Sequence, residues 1–86
     1  MFILKKIGFK PNPMDNSLLL VTIGLQVRTR RKVLKLSQEK LADHCGLFRT
    51  YLSRIEGGLA NPTVLALASL ADALGVDLAV LLRKPE

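Results

Sequence analysis

The polar side chains best suited to chemistry lie near the middle of the chain, at Arg49, Thr50, Ser53 and Arg54. If residues 48–56 form a helix, these side chains share its outer face, while Leu52 and Ile55 point inward. An arginine can bond O6 and N7 of guanine, and a threonine methyl can contact the 5-methyl group of thymine. The pattern therefore favours a surface that reads base edges in the major groove of double-stranded DNA.

Residue types that support catalysis or metal binding are scarce. The chain has one cysteine and one histidine, too few for a zinc ligand set, and no paired-carboxylate arrangement. We therefore expect no enzyme activity, no cofactor and no metal. Cys45 is interpreted as a small, buried apolar residue; the alternative, a redox sensor, would need an exposed thiol with a lowered pKa.

Length and charge limit the architecture to one module. Eighty-six residues suffice for one domain, and 13 Lys and Arg against seven Asp and Glu give a net charge of +6. This balance favours polyanions such as nucleic acid or anionic lipid. The longest apolar stretch, residues 18–25, is too short for a membrane span, and the first residues lack a cleavage site for export. A cytoplasmic location is expected.

The elements that must position the polar cluster are helices. Residues 1–16 are predicted to form an N-terminal arm, with an edge strand over residues 2–7 as an alternative and Met14 as an alternative start of the chain. Residues 17–83 are predicted to form an all-α domain of five helices, over residues 17–34, 38–44, 48–56, 64–74 and 78–82. Their expected N-caps are Ser17, Ser37, Thr63 and Asp77. Glycines are expected to end three of the helices, at Gly46, at Gly57 with Gly58, and at Gly75.

Residues 38–57 meet the requirements of a helix-turn-helix. Two short helices that cross steeply need a small residue at their contact and a turn that tolerates positive φ, and Ala42 and Gly46 supply these. The inward positions are apolar, at Leu41, Leu47, Leu52 and Ile55. The first helix is expected to complete the core together with these inward positions. Its apolar residues at helical spacing are Leu20, Ile23, Val27 and Leu34.

Three segments carry a resemblance to a known family: residues 37–42 (SQEKLA) with Gly46, residues 52–56 (LSRIE) and residues 61–63 (NPT). Over about residues 20–82 the chain resembles the XRE family of lambda-type repressors and Cro proteins, which implies a five-helix lambda-repressor-like fold and a transcription regulator. The tripeptide at residues 49–51 is particularly similar to controller proteins of restriction-modification systems.

The resemblance also implies residue roles. Arg49 and Thr50 match base-reading positions, and Asn61 matches a phosphate contact. Gln38 matches a glutamine that contacts a phosphate and braces the recognition helix, and its place at a helix N-terminus suits an anion. The partners Arg31 and Glu56 match an ion pair that stabilises the fold, so Arg31 is excluded from the binding residues.

The chemistry of the remaining residues adds further candidates. Ser53 and Arg54 lie one turn further along and would reach either bases or phosphates. Tyr51 would either present its hydroxyl to a phosphate or pack against the core. Arg28, among the cations of the first helix, is a candidate phosphate contact, and such contacts add affinity without sequence information.

Two positions depart from the family pattern. Lys35 follows the first helix where glycine is common, so we expect mild strain or a different turn there. Leu59 and Ala60 replace a loop that is often cationic or polar, which removes one potential groove contact.

A dimer is expected because the last two helices have more apolar surface than one core can bury. We assign Val64, Leu67, Leu70, Ala71 and Leu74 to the core, with Leu78, Leu81 and Leu82 from the last helix. Ala66 is left outside the core, and the remaining apolar positions form the predicted interface, at Leu65, Ala68, Ala79 and Val80. Two copies would bind half-sites about 10 base pairs apart on an inverted repeat.

The main alternative is a protein-interaction module that carries a helix-turn-helix domain, such as the antitoxin of a toxin-antitoxin pair. In that case residues 1–16 would be the partner-binding extension. A membrane-surface role for this basic arm is a third option.

Overall fold

The computed structural model describes residues 13–85 of the chain, with side chains from residue 17 onward. Five helices follow one another and no strand is formed in this part: α1 (Pro13–Val33), α2 (Gln38–Cys45), α3 (Arg49–Glu56), α4 (Val64–Leu74) and α5 (Leu78–Leu81). The predicted all-α, five-helix fold is therefore confirmed. The alternative edge strand at residues 2–7 lies outside the described residues.

Local capping explains why α2 and α4 begin and end within one residue of the predicted positions, whereas α3 begins one residue later than predicted, at Arg49. The Ser37 hydroxyl and the Thr63 hydroxyl each accept a hydrogen bond, both of 3.0 Å, from the backbone N–H three residues further on. Gly46 and Gly75 end α2 and α4 in the left-handed conformation, at φ 68° and 73°. Asp77 occupies the N-cap position of α5 but makes no side-chain cap hydrogen bond.

The start of α1 differs from the prediction. The helix begins at Pro13, so residues 13–16 belong to it rather than to the predicted N-terminal arm, and Ser17 is not its N-cap. Proline suits the first helical position, because its missing N–H would have no partner there and its φ is already helical. The helix ends at Val33, and Leu34 beyond it is exposed rather than in the core.

All the described helices contribute to one hydrophobic core. Its largest fully buried side chains, with relative exposures below 2%, are Val27, Leu41, Leu52, Ile55, Leu70 and Leu81. Ile23, Leu67, Ala71 and Leu74 are buried with them, as predicted. Besides Leu34, three core assignments are wrong: Val64 is 69% exposed, Leu82 is 43% exposed, and Ala66, predicted to lie outside the core, is buried. Val64 is the first residue of α4, where the helix has not yet reached the core.

The backbone of α1 runs unusually close to the end of α3 at Gly24. A Cβ built on Gly24 would lie 2.5 Å from the carbonyl oxygen of Ile55 and 2.6 Å from that of Glu56. A real side chain cannot occupy that space, and backbone atoms cannot move aside as the tip of a side chain can. The absence of a side chain at Gly24 therefore sets the distance between α1 and α3.

We predict that Gly24→Ala lowers the free energy of unfolding by about 1–3 kcal/mol, the usual cost of overpacking. Alanine ordinarily stabilises a helix relative to glycine by roughly 1 kcal/mol, so the sign itself is diagnostic. Chemical denaturation followed by circular dichroism measures the change. The matched control is Thr29→Ala on the exposed side of α1, which should be neutral or stabilising. A Gly24→Ala protein as stable as the original would contradict the close approach.

Candidate nucleic-acid interface

A buried ion pair fixes the end of α3 against α1. Arg31 Nε donates to Glu56 Oε2 at 2.6 Å, and a terminal guanidinium nitrogen donates to Glu56 Oε1 at 2.9 Å. The other terminal nitrogen donates to the backbone carbonyl of Leu36 at 2.8 Å. The hydrogen bond to Glu56 raises the pKa of Arg31, against a smaller lowering by burial. The predicted pairing of Arg31 with Glu56 is confirmed.

Gln38 extends this pair into a three-helix junction. Its side-chain amide donates to Glu56 Oε1 at 3.0 Å, so the first residue of α2 is tied to the last residue of α3. One carboxylate thus accepts hydrogen bonds from α1 and from α2. The predicted bracing contact of Gln38 is present, and its contact with a DNA phosphate stays a prediction.

The outer face of α3 is polar and exposed. It presents side chains from two turns of the helix, those of Arg49, Thr50, Ser53 and Arg54. On the opposite face, Leu52 and Ile55 are almost fully buried. Arg54 donates to the backbone carbonyl of Leu59 at 2.9 Å, which holds its side chain towards the loop after α3. The geometry therefore gives a short, firmly packed helix with one exposed face that bears two cations and two hydroxyl groups.

Tyr51 lies on the flank of α3 and packs against the hydrophobic core. Its hydroxyl oxygen accepts a hydrogen bond of 3.3 Å from the backbone N–H of Thr63, the N-cap of α4. The packing that was predicted as one of two alternatives is thus present. Because the hydroxyl accepts in this bond, its own hydrogen is left to donate, and the phosphate contact stays a prediction.

The other predicted site residues lie on different elements. Asn61 is exposed in the loop between α3 and α4, and Arg28 is exposed on α1. The residues predicted for the dimer interface lie on α4 and α5: Leu65, Ala68 and Ala79 are exposed, and Val80 is partly buried. The structure therefore brings the base-reading candidates together on one face of α3. The phosphate-binding candidates come from four elements: α1, α2, α3 and the loop after α3.

Cys45 is partly buried at the end of α2. Its thiol lies 3.5 Å from the backbone carbonyl oxygen of Ser69, and burial, together with the charge of Asp72, raises its pKa. A raised pKa reduces the fraction of reactive thiolate, which disfavours the redox-sensor alternative. Among the described residues no cluster of metal-ligating side chains is found, and no helix there is long and apolar enough to cross a membrane.

Lys35, just before the helix-turn-helix, and Phe48, inside it, both have unusual environments. Lys35 is the non-glycine residue with positive φ in the described chain, at 59°, which confirms the strain expected at this turn. Phe48, which was not among the predicted site residues, is the N-cap of α3 and is 84% exposed. The signal for Phe48 was present in the sequence, because an aromatic residue is a poor N-cap.

The chain resembles known helix-turn-helix proteins in sequence. A family model described as "Helix-turn-helix domain" matches residues 22–83. The chain is similar to control protein C.BamHI of Bacillus amyloliquefaciens, with 42% identity over 65 residues, covering 74% of this chain and 79% of the relative. It is 36% identical over 61 residues to the immunity repressor of Bacillus phage phi105, covering 71% of this chain but only 42% of that repressor.

A solved structure shows the same architecture. The restriction-modification controller protein C.AhdI from Aeromonas hydrophila superposes with a TM-score of 0.70 at 37% identity, over 72% of this chain and 94% of the other. The lambda-repressor-like fold and the resemblance to controller proteins are therefore confirmed.

We predict that Glu56→Gln destabilises the protein by about 3 kcal/mol, because it leaves the buried Arg31 charge without its partner. Thermal and denaturant unfolding measure the change. The control is Glu39→Gln, which removes a charge from an exposed residue of α2 and should change stability by less than about 0.5 kcal/mol. Equal effects of the two substitutions would mean that the junction does not hold the helices together.

Proposed function

The chain belongs to the helix-turn-helix domain family, and from this membership we propose that it is a sequence-specific, double-stranded DNA-binding transcription regulator. The observation that carries the proposal is the free polar face of α3, whose opposite face is locked into the core and whose last residue is braced by two other helices. A helix held in this way can enter the major groove without reorganising. The net charge of +6 favours the approach to a polyanion.

Within this proposal, the residues divide by chemistry. Bases are read by Arg49 and Thr50 at the start of α3, and by Ser53 and Arg54 one turn on, where Arg54 also reaches phosphates. Phosphates are contacted by Gln38, Tyr51, Asn61 and Arg28. Base contacts set the sequence preference, whereas phosphate contacts fix the position of the protein and make binding dependent on salt.

The protein acts as a twofold dimer in this proposal. The interface comprises Leu65 and Ala68 of α4 with Ala79 and Val80 of α5, and the 82% exposure of Leu65 supports it, since a side chain of this size gains by burial. Exposed Val64 enlarges the apolar surface beside it. A twofold dimer presents two recognition helices and selects an inverted repeat with half-sites about 10 base pairs apart.

The regulated genes are proposed from the relatives. The similarity to C.BamHI and the likeness to C.AhdI support control of restriction-modification genes, and the similarity to a phage immunity repressor supports repression as the output. The protein would act in the cytoplasm, where these genes are transcribed.

We expect selection of duplexes from a random pool to yield an inverted repeat that contains guanine in each half-site. Arg49→Ala should then lose about 1–3 kcal/mol of binding free energy and relax the preference at that one guanine, because it removes a bidentate contact. Fluorescence anisotropy on the selected duplex and its single-base variants measures both effects.

The control for this experiment is Arg83→Ala, which removes the same charge from an exposed position beyond α5. It should weaken binding only slightly and leave base preference unchanged. The proposal fails if the protein retains no duplex at moderate ionic strength. The role of Arg49 fails if its alanine variant keeps the original preference.

For the dimer, we expect Leu65→Asp to give a folded monomer, because the side chain is exposed within one chain and its charge would be buried between two. Analytical ultracentrifugation measures the mass and circular dichroism the helix content. Leu18→Asp, at an exposed apolar position of α1, is the matched control and should leave the dimer intact. A Leu65→Asp protein of unchanged dimeric mass would exclude this surface as the interface.

A further inference from the structure

Phe48 is the most exposed of the large apolar side chains described, at 84%, and it stands directly before α3. It is the N-cap residue of that helix, with extended backbone angles of φ −71° and ψ 141°, and its side chain makes no cap hydrogen bond. By contrast, the N-caps of α2 and α4 are a serine and a threonine whose hydroxyls do make this bond. The helix with the functional face therefore begins on a residue whose side chain cannot accept a capping hydrogen bond.

Phenylalanine at this position opposes stability. A serine, threonine, aspartate or asparagine would accept a hydrogen bond from the first turn, and its absence typically costs about 1 kcal/mol. The ring recovers little of this cost by packing, since it is not among the hydrophobic side chains buried in or packed against the core. The fold of the single chain gives no reason for a phenylalanine here.

The position of Phe48 points to the same target as the polar face. Side chains at a helix N-terminus project back beyond the first turn, because each Cα–Cβ bond tilts towards that end. In a helix-turn-helix the N-terminal residues of the second helix approach the base edges. Arg49 and Thr50, both exposed, follow Phe48 directly, so its ring extends the same leading end of α3 with an apolar surface.

We propose that Phe48 is a further specificity-determining residue, whose ring packs against the 5-methyl group of a thymine in the major groove. This inference rests on the proposed function. The thymine methyl is the apolar group on the major-groove edges of the bases, and phenylalanine is one of the side chains suited to contact it. Arg49 and Phe48 would then read neighbouring positions by different means, guanine by hydrogen bonds and thymine by burial of a methyl group.

The test replaces each thymine of the selected duplex, one at a time, by deoxyuridine, which lacks only the 5-methyl group. For the original protein, at least one thymine in each half-site should be sensitive, with affinity falling about fourfold, the change that corresponds to one buried methyl group. In the Phe48→Ser protein this sensitivity should disappear at the thymine that the ring contacts, while any sensitive thymine contacted by Thr50 should remain sensitive.

Phe48→Ser also separates a binding role from a structural one. Serine restores a good N-cap, so the melting temperature should rise by roughly 4–8 °C while affinity for the thymine-containing duplex falls. A residue that only supported the fold would lower both. Val33→Ser, which makes the same kind of change at another exposed apolar position, should leave affinity and methyl sensitivity unchanged.

Four results would overturn the inference. The first is a Phe48→Ser protein that keeps the deoxyuridine profile of the original protein, which would show that the ring does not read the methyl. The second is a dimer that becomes a monomer in Phe48→Ser with the profile unchanged, which would assign the ring to the partner copy. If the original protein binds no duplex, the proposed function fails as well. If it binds a specific duplex that has no methyl-sensitive thymine, the role of Phe48 fails and the proposed DNA-binding function stands.

Discussion

The carboxylate of Glu56 is the point on which the arrangement of the helices depends. Buried beside α1, it accepts hydrogen bonds from Arg31 and from Gln38, so three helices meet at one charged group. A buried charge is costly unless its partners are in place, and this requirement penalises every arrangement that separates them. The contact therefore specifies the orientation of α3 more than it adds to stability, and the close approach at Gly24 fixes the remaining distance.

Recognition needs this constraint because α3 is too short to be rigid by itself. An isolated helix of eight residues is marginal in water, so its order must come from packing. Leu52 and Ile55 supply that packing on one face, and the junction at Glu56 anchors the end. The side chains on the outer face are therefore not needed to hold α3 in place. Its side chains are free to be chosen for their fit to a target, which is how a common fold supports many sequence preferences.

The sequence predicted what local signals determine and missed what depends on neighbouring elements. The bounds of α2 and α4 follow from a hydroxyl N-cap and a glycine end, and both were predicted closely. The predictions for Val64 and Ala66 were the reverse of what is observed. In a helix that is apolar on nearly all sides, the sequence pattern does not show which side faces the core. Gly24 carried no visible signal, since its importance depends on the carbonyl groups of α3 that approach it.

Two residues are unfavourable for the local backbone structure, and compensating contacts are found for only one of them. Lys35 adopts the left-handed conformation, which is unfavourable for residues other than glycine. The same turn places the carbonyl of Leu36 where it accepts a hydrogen bond from Arg31. Its strain is thus offset within the junction that holds α3. Phe48 weakens the start of α3 and receives no comparable contact from the chain. Because uncompensated local cost concentrates at functional positions, the difference between these two residues is itself an argument for placing Phe48 against a partner.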